Sequence, residues 1–137
     1  MKESPHMASK LLLPQEIETF YVIPSLRRQL ALYLRERGIK QKDIAELLGI
    51  DTAAISQYTS SKRGSRITFD TPIQEEIKKS AQLINNRYSY LKETQRLLRV
   101  IRETKTLCQI HKLFSPVPEN CDPHETGCHS LPLKICI

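Results

Sequence analysis

The side chains with the most chemistry to offer stand near the C-terminal end. All four cysteines, Cys108, Cys121, Cys128 and Cys136, fall within the last thirty residues, with His111, His124 and His129 among them. Cys108 and His111 form C-x-x-H on a helical stretch, a spacing that turns both side chains to one face. Cys121 and Cys128 follow beyond the Ser115-Pro116-Val117-Pro118 turn. Cys108, His111, Cys121 and Cys128 together make a candidate tetrahedral zinc site or an anchor for an iron–sulfur cluster. The paired C-x-x-C knuckles of a zinc ribbon are missing, and the spacing does not choose between the two metals. Redox-active disulfides fit the same four thiols, and so does a frayed tail with incidental cysteines.

A second set of functional candidates lies in the stretch QKDIAELLGIDTAAISQY, Gln41 to Tyr58. Ile44, Leu48, Ile55 and Tyr58 recur at helical spacing, Ala45 permits a close helix crossing, and Gly49 suits the end of a first short helix. Asp51 or Thr52 then caps a second. Two short helices across one tight turn make a helix-turn-helix, whose second helix enters a DNA major groove; an ordinary αα-hairpin wants the same residues. The outward residues of the second helix, Thr52, Ala53, Ser56 and Gln57, are the candidate base readers. Gln bonds an adenine edge at two points, hydroxyls bond several edges, and Ala meets a thymine methyl. Gln41, Ser60, Ser61, Lys62, Arg63 and Arg66 are the candidate phosphate contacts, fixing register without reading sequence.

Catalysis finds little support. No G-x-S-x-G elbow occurs, four glycines leave no phosphate-cradling loop, and Cys108 with His111 has no evident oxyanion donor. The expectation is a protein that is not an enzyme.

The elements that must position these residues follow from punctuation and periodicity. Residues 10–38 read as helix, with Pro14 in the first turn, Ile17, Phe20 and Tyr21 as an apolar stripe, and Gly38 as the stop. Pro24 must bend or break it. Leu26, Leu30, Tyr33 and Leu34 face inward on the second part, with Arg27 and Arg28 expected on a solvated face and a phosphate contact as the alternative for either. Asp70-Thr71-Pro72 opens a further helix with Ile73, Ile77, Ala81 and Ile84 on one side. Asn85, Asn86 and Ser89 mark a break. Leu91, Leu98, Ile101 and Cys108 then keep near-heptad spacing, broadened by Leu97, on a long helix that packs on the N-terminal helices or pairs with its copy.

The 137 residues, with 39% hydrophobic and 6% aromatic content and no Trp, allow one all-α domain with a Leu/Ile core. The division expected is an added leader over 1–9, whose His6 is excluded from function, a DNA-binding unit over 10–69, a dimerisation or packing region over 70–113, and an irregular Cys-rich tail over 114–137. The net charge of +6 suits a polyanionic partner such as double-stranded DNA. No apolar run is long enough to span a bilayer and no signal core is present, so the expectation is a cytoplasmic protein without membrane contact.

Residues 13–64 resemble a family of mainly archaeal transcriptional regulators with a Cro/lambda-repressor-type (XRE-like) helix-turn-helix. The Leu13-Pro14-x-Glu16 opening, Pro24, and the run A-x-S-Q-Y-x-S-x-K-R-G ending at Gly64 carry the likeness. It implies a lambda-repressor-like DNA-binding unit followed by long C-terminal helices. In that family a cysteine-rich C-terminus is thought to hold zinc or an iron–sulfur cluster, which implies a metal- or redox-sensing regulator. Cys108 and His111 match its L-C-x-x-H and Cys121 its Cys-Asp, whereas the C-x-x-C pair often found upstream is absent here. The reading is a dimeric, sequence-specific transcriptional regulator. Metal or redox sensing, and an antitoxin-like or adaptor role, are the alternatives.

Overall fold

The computed structural model describes residues 10–128; residues 1–9, expected to be a leader, and 129–137, with His129 and Cys136, lie outside the described residues. Among the described residues the protein is all-α and no strand forms. The elements are α1 (Pro14–Ile17), a π-helical turn (Glu18–Val22), α2 (Ile23–Glu36), α3 (Gln41–Leu48), α4 (Thr52–Thr59), α5 (Thr71–Leu83), α6 (Arg87–Glu103), α7 (Thr106–Phe114) and the short α8 (Pro123–Thr126).

Pro24 neither breaks the first helix nor ends it. A proline ring collides with the carbonyl four residues back, and the chain meets this by inserting a residue just before it, so that Ile23 N–H bonds the carbonyl of Glu18. That extra residue rotates the upstream face. Ile17 and Val22 become fully buried, Tyr21 is half-buried, and Phe20, expected in the stripe, is 55% exposed.

α2 is the central strut: Leu26, Leu30 and Leu34 are buried along it, and α3, α4 and α5 all pack against it. Each such side chain contributes about 1.5–3 kcal/mol on leaving water. Ile44, Leu48, Ile55 and Tyr58 point inward as the spacing predicts, as do Ile73, Ile77, Ala81 and Ile84. One hydrophobic cluster runs from Ile17 to Ile110, so the stretches 10–69 and 70–113 share a single core.

The long C-terminal helix divides. α6 ends at Glu103, Lys105 takes a left-handed conformation (φ 66°), and Cys108 belongs to α7. Leu97, Leu98 and Ile101 are spent in the core of the same chain, while Leu91 is 57% exposed. No continuous heptad seam from Leu91 to Cys108 exists, because the turn at Lys105 changes the helix direction.

Capping follows the side-chain signals. Asp51 accepts from Ala54 N–H at 2.7 Å, Asp70 from Ile73 N–H at 3.3 Å, and Asn86 from Ser89 N–H at 2.8 Å. Asp51→Ala is expected to cost about 1 kcal/mol of stability, read as a lower denaturant midpoint with an unchanged slope.

Candidate nucleic-acid interface

α3 ends where Gly49 turns left-handed (φ 69°), and the N–H groups of Gly49 and Ile50 close onto the carbonyls of Glu46 and Ala45 at 3.3 and 3.1 Å. Asp51 then starts α4 at once. Ala45 is 5% exposed, so its methyl is part of the α3 packing surface. The result is the tight corner that the apolar spacing requires.

Thr52, Ala53 and Ser56 are exposed on α4. Gln41 reaches across from the start of α3, its Nε2 donating to the Thr52 carbonyl at 3.0 Å and to Ser56 Oγ at 2.6 Å. Both amide hydrogens are used, so Gln41 braces the first turn of α4 and has no donor left for a phosphate in this arrangement. Ser56, as the acceptor, keeps its own hydroxyl hydrogen for a partner outside. Gln57 departs from its expected role: it is half-buried, and its side-chain carbonyl oxygen is enclosed without a hydrogen bond. It does not present the two-point edge that an adenine needs. Its main-chain carbonyl instead accepts from Lys62 N–H (2.9 Å) and Arg63 N–H (3.1 Å), which folds the basic turn back on α4.

The basic turn is a mixture of outward and inward residues. Lys62 is exposed, and Arg63 is exposed with its guanidinium 5.9 Å from the Tyr58 ring centroid. Ser60 bonds the carbonyl of Gln57 at 3.3 Å. Ser61 adopts φ 66° and accepts from Arg28. Arg66 is drawn away from the others, lying 5.3 Å from the Tyr21 ring and 5.5 Å from Phe114, which stack on each other at 3.9 Å. Arg66 is exposed and lies beside the stacked pair.

Arg27 and Arg28 differ most from expectation, being half-buried against α4 and the turn after it rather than solvated. Arg27 lies 3.5 Å from the Tyr58 hydroxyl. Burial opposes its charge, but hydrogen bonds with Tyr58 and Tyr90 outweigh that and hold its pKa above the usual value. Neither arginine carries a sequence signal for this placement, because helical periodicity gives a side chain's direction and not its partner.

The C-terminal thiols share a second place. Cys108, Cys121 and Cys128 line one cleft of about 820 Å³ together with His111 and Leu12. Burial pushes the Cys108 thiol up, and the neighbouring Cys128 and Cys121 add to it. The His111 ring donates to the Leu12 carbonyl through Nε2 at 2.6 Å, which leaves Nδ1 with its lone pair in the neutral ring. Among the described residues no three His, Cys, Asp or Glu side chains converge as a zinc ion or an iron–sulfur cluster requires. The expected four ligands, Cys108, His111, Cys121 and Cys128, share this cleft.

No helix among the described residues is long and apolar enough to cross a membrane. No family model, curated protein or solved structure matches the chain.

Proposed function

We propose that this protein is a sequence-specific DNA-binding transcriptional regulator, acting as a cytoplasmic homodimer through a lambda-repressor-like helix-turn-helix built from α3 and α4. The observation that carries the reading is the corner itself: α4 is capped by Asp51 two residues after the left-handed Gly49 and exposes Thr52, Ala53 and Ser56. The cations Lys62 and Arg63 stand just past its other end. An α-helix fits the major groove, and one helix alone contacts too few base pairs for tight specificity, which is the reason for the dimer. The function needs binding and no bond-making chemistry.

Selection of a preferred duplex from a random pool, followed by affinity measurements against scrambled DNA, tests the proposal directly. Equal affinity for both would defeat the regulator reading and favour an adaptor role. With an operator in hand, Ser56→Ala is expected to narrow the discrimination by about 1 kcal/mol. Lys62→Ala combined with Arg63→Ala is expected to weaken both duplexes alike and to flatten the salt dependence by up to about 2 in log–log slope.

A sensory role is favoured by one connection. α7 carries Cys108 and His111 in the thiol cleft, and its last residue, Phe114, stacks on Tyr21 beneath Arg66 of the basic turn. A redox change at the thiols has a packed route toward the DNA-facing turn. Operator affinity that is the same under reducing and oxidising conditions would remove this second reading.

A further inference from the structure

Arg28 is a half-buried cation without a carboxylate partner. The ion pairs of the described residues join Arg87 to Glu46, Arg96 to Glu76 and Glu93, Lys79 to Glu76, and Arg102 to Glu18, and leave Arg28 out. Its Nε is enclosed without a hydrogen-bond partner, while Nη2 donates to Ser61 Oγ at 2.9 Å. A guanidinium carries five N–H groups; with Nε enclosed, the Nη hydrogens not given to Ser61 are the ones left for an anion.

Ser61 is held in a conformation that a side chain rarely adopts (φ 66°). Such strain persists only where the surroundings impose it. Three contacts impose it here. Arg28 holds the hydroxyl, Ser65 Oγ donates to the Ser61 carbonyl at 2.9 Å, and Gly64 lies so close to α2 that an added methyl would meet the Pro24 carbonyl group. Because Ser61 Oγ accepts from Arg28, its own hydrogen is left for an outside acceptor. Lys62 follows directly, exposed. A fork and a hydroxyl are thus gathered where α2 meets the turn after α4, with an exposed lysine next in sequence, and no carboxylate of the described residues is ion-paired with Arg28.

We propose that Arg28, with Ser61, forms a preorganised cradle for one backbone phosphodiester of duplex DNA, so that α2 contributes to the interface as well as α3 and α4. The inference rests on the DNA-binding reading, since α4 and this cradle would engage the same duplex. Charge-assisted fork bonds to phosphate are strong and geometrically specific, and their loss is felt both in affinity and in counterion release.

The test is fluorescence anisotropy of the full chain against a mixed-sequence DNA duplex across a salt series, with duplex RNA of the same sequence alongside. Arg28→Ala is expected to weaken DNA binding roughly tenfold and to lower the log–log salt slope by about 0.9. Arg28→Lys keeps the charge without the fork, so the slope should stay while affinity recovers only in part. Ser61→Gly tolerates the left-handed backbone and should weaken binding with the slope unchanged. Arg35→Ala, on an exposed part of the same helix, removes equal charge and should leave both quantities near those of the unmutated protein. Circular dichroism of each variant checks that folding is intact, and Arg28→Lys serves if Arg28→Ala unfolds. Arg28→Ala behaving as Arg35→Ala, or Arg28→Lys restoring full affinity, would overturn the cradle and leave the DNA-binding reading standing. An unmutated protein that ignores the DNA duplex even at the lowest salt, or prefers the RNA, would overturn both.

Discussion

Gly64→Ala is expected to lower the stability of the protein by about 3 kcal/mol, while Gly49→Ala costs only about 1 kcal/mol. Both glycines have positive φ, 72° and 69°. The backbone strain imposed on a new side chain is therefore nearly equal, and the difference must come from packing. At Gly49 an added methyl meets only the end of the Arg87 side chain, at 3.8 Å from Nε and 3.9 Å from Cζ, an ordinary contact. At Gly64 it collides with the carbonyl oxygen of Pro24, and sits 2.8 Å from that carbonyl carbon and 3.0 Å from Arg28 Cβ. The carbonyl belongs to the backbone of α2 and cannot rotate aside as a long side chain can. The turn must lift off the helix, which disturbs Ser61 and its bond to Arg28. Denaturant midpoints of the two variants decide the matter, and similar losses for both would show that the contact with Pro24 yields easily. If the turn faces DNA, Gly64→Ala also weakens duplex binding in the fraction that remains folded.

Arg96→Ala is expected to cost about 3 kcal/mol at neutral pH, through what it leaves behind rather than through the pair it breaks. Glu93 is only 4% exposed, and its Oε1 accepts from Ser80 Oγ at 2.8 Å and from Arg96 Nε at 3.0 Å. The same guanidinium donates to Glu76 Oε1 at 2.7 Å and to Ser80 Oγ at 2.7 Å, joining α5 to α6. Without Arg96, a carboxylate remains enclosed with one hydroxyl for company. Glu93→Gln in the Arg96→Ala background removes that charge and should recover about half of the loss. A double variant no more stable than Arg96→Ala would show that Glu93 escapes to solvent.

The pH dependence has a definite sign. The Arg96 hydrogen bond holds the Glu76 carboxyl below the usual carboxylate value. Folding is therefore favoured by this carboxylate above the unfolded value, near pH 4.3, and the contribution is lost as pH falls through the lower folded value. Removing Arg96 takes away the largest cause of the shift and leaves the smaller one from Lys79. The stability gap between Arg96→Ala and the unmutated protein should accordingly be widest at neutral pH and narrow below about pH 4.

The local grammar of this chain was legible in its sequence. Asp51, Asp70 and Asn86 cap helices because a short side-chain oxygen reaches a main-chain N–H three residues on, and that needs no distant partner. Gly49 ends α3 for the same kind of reason, and the spacing of Ile44, Leu48, Ile55 and Tyr58 fixed which sides of the two short helices turn inward. Pro24 announced a disturbance, although its resolution as a π-helical turn depended on how Ile17, Val22 and Tyr21 pack, and that choice put Phe20 outside.

Tertiary contacts decided the fate of the long polar side chains. Arg28 meets Ser61 across 33 positions and Arg27 meets Tyr58 across 31, while Arg66 settles over two aromatic rings from opposite ends of the chain. Gln41 is committed to Thr52 and Ser56, and Gln57 folds its amide oxygen inward. Composition and periodicity define a direction for such residues, but a flexible polar side chain takes the best partner within several ångströms, and the fold alone sets what lies there. The cysteines obey the same rule. Their clustering in sequence brought Cys108, Cys121 and Cys128 to one cleft, while the order of the elements around it, with Leu12 from the other end of the described chain, came from the fold.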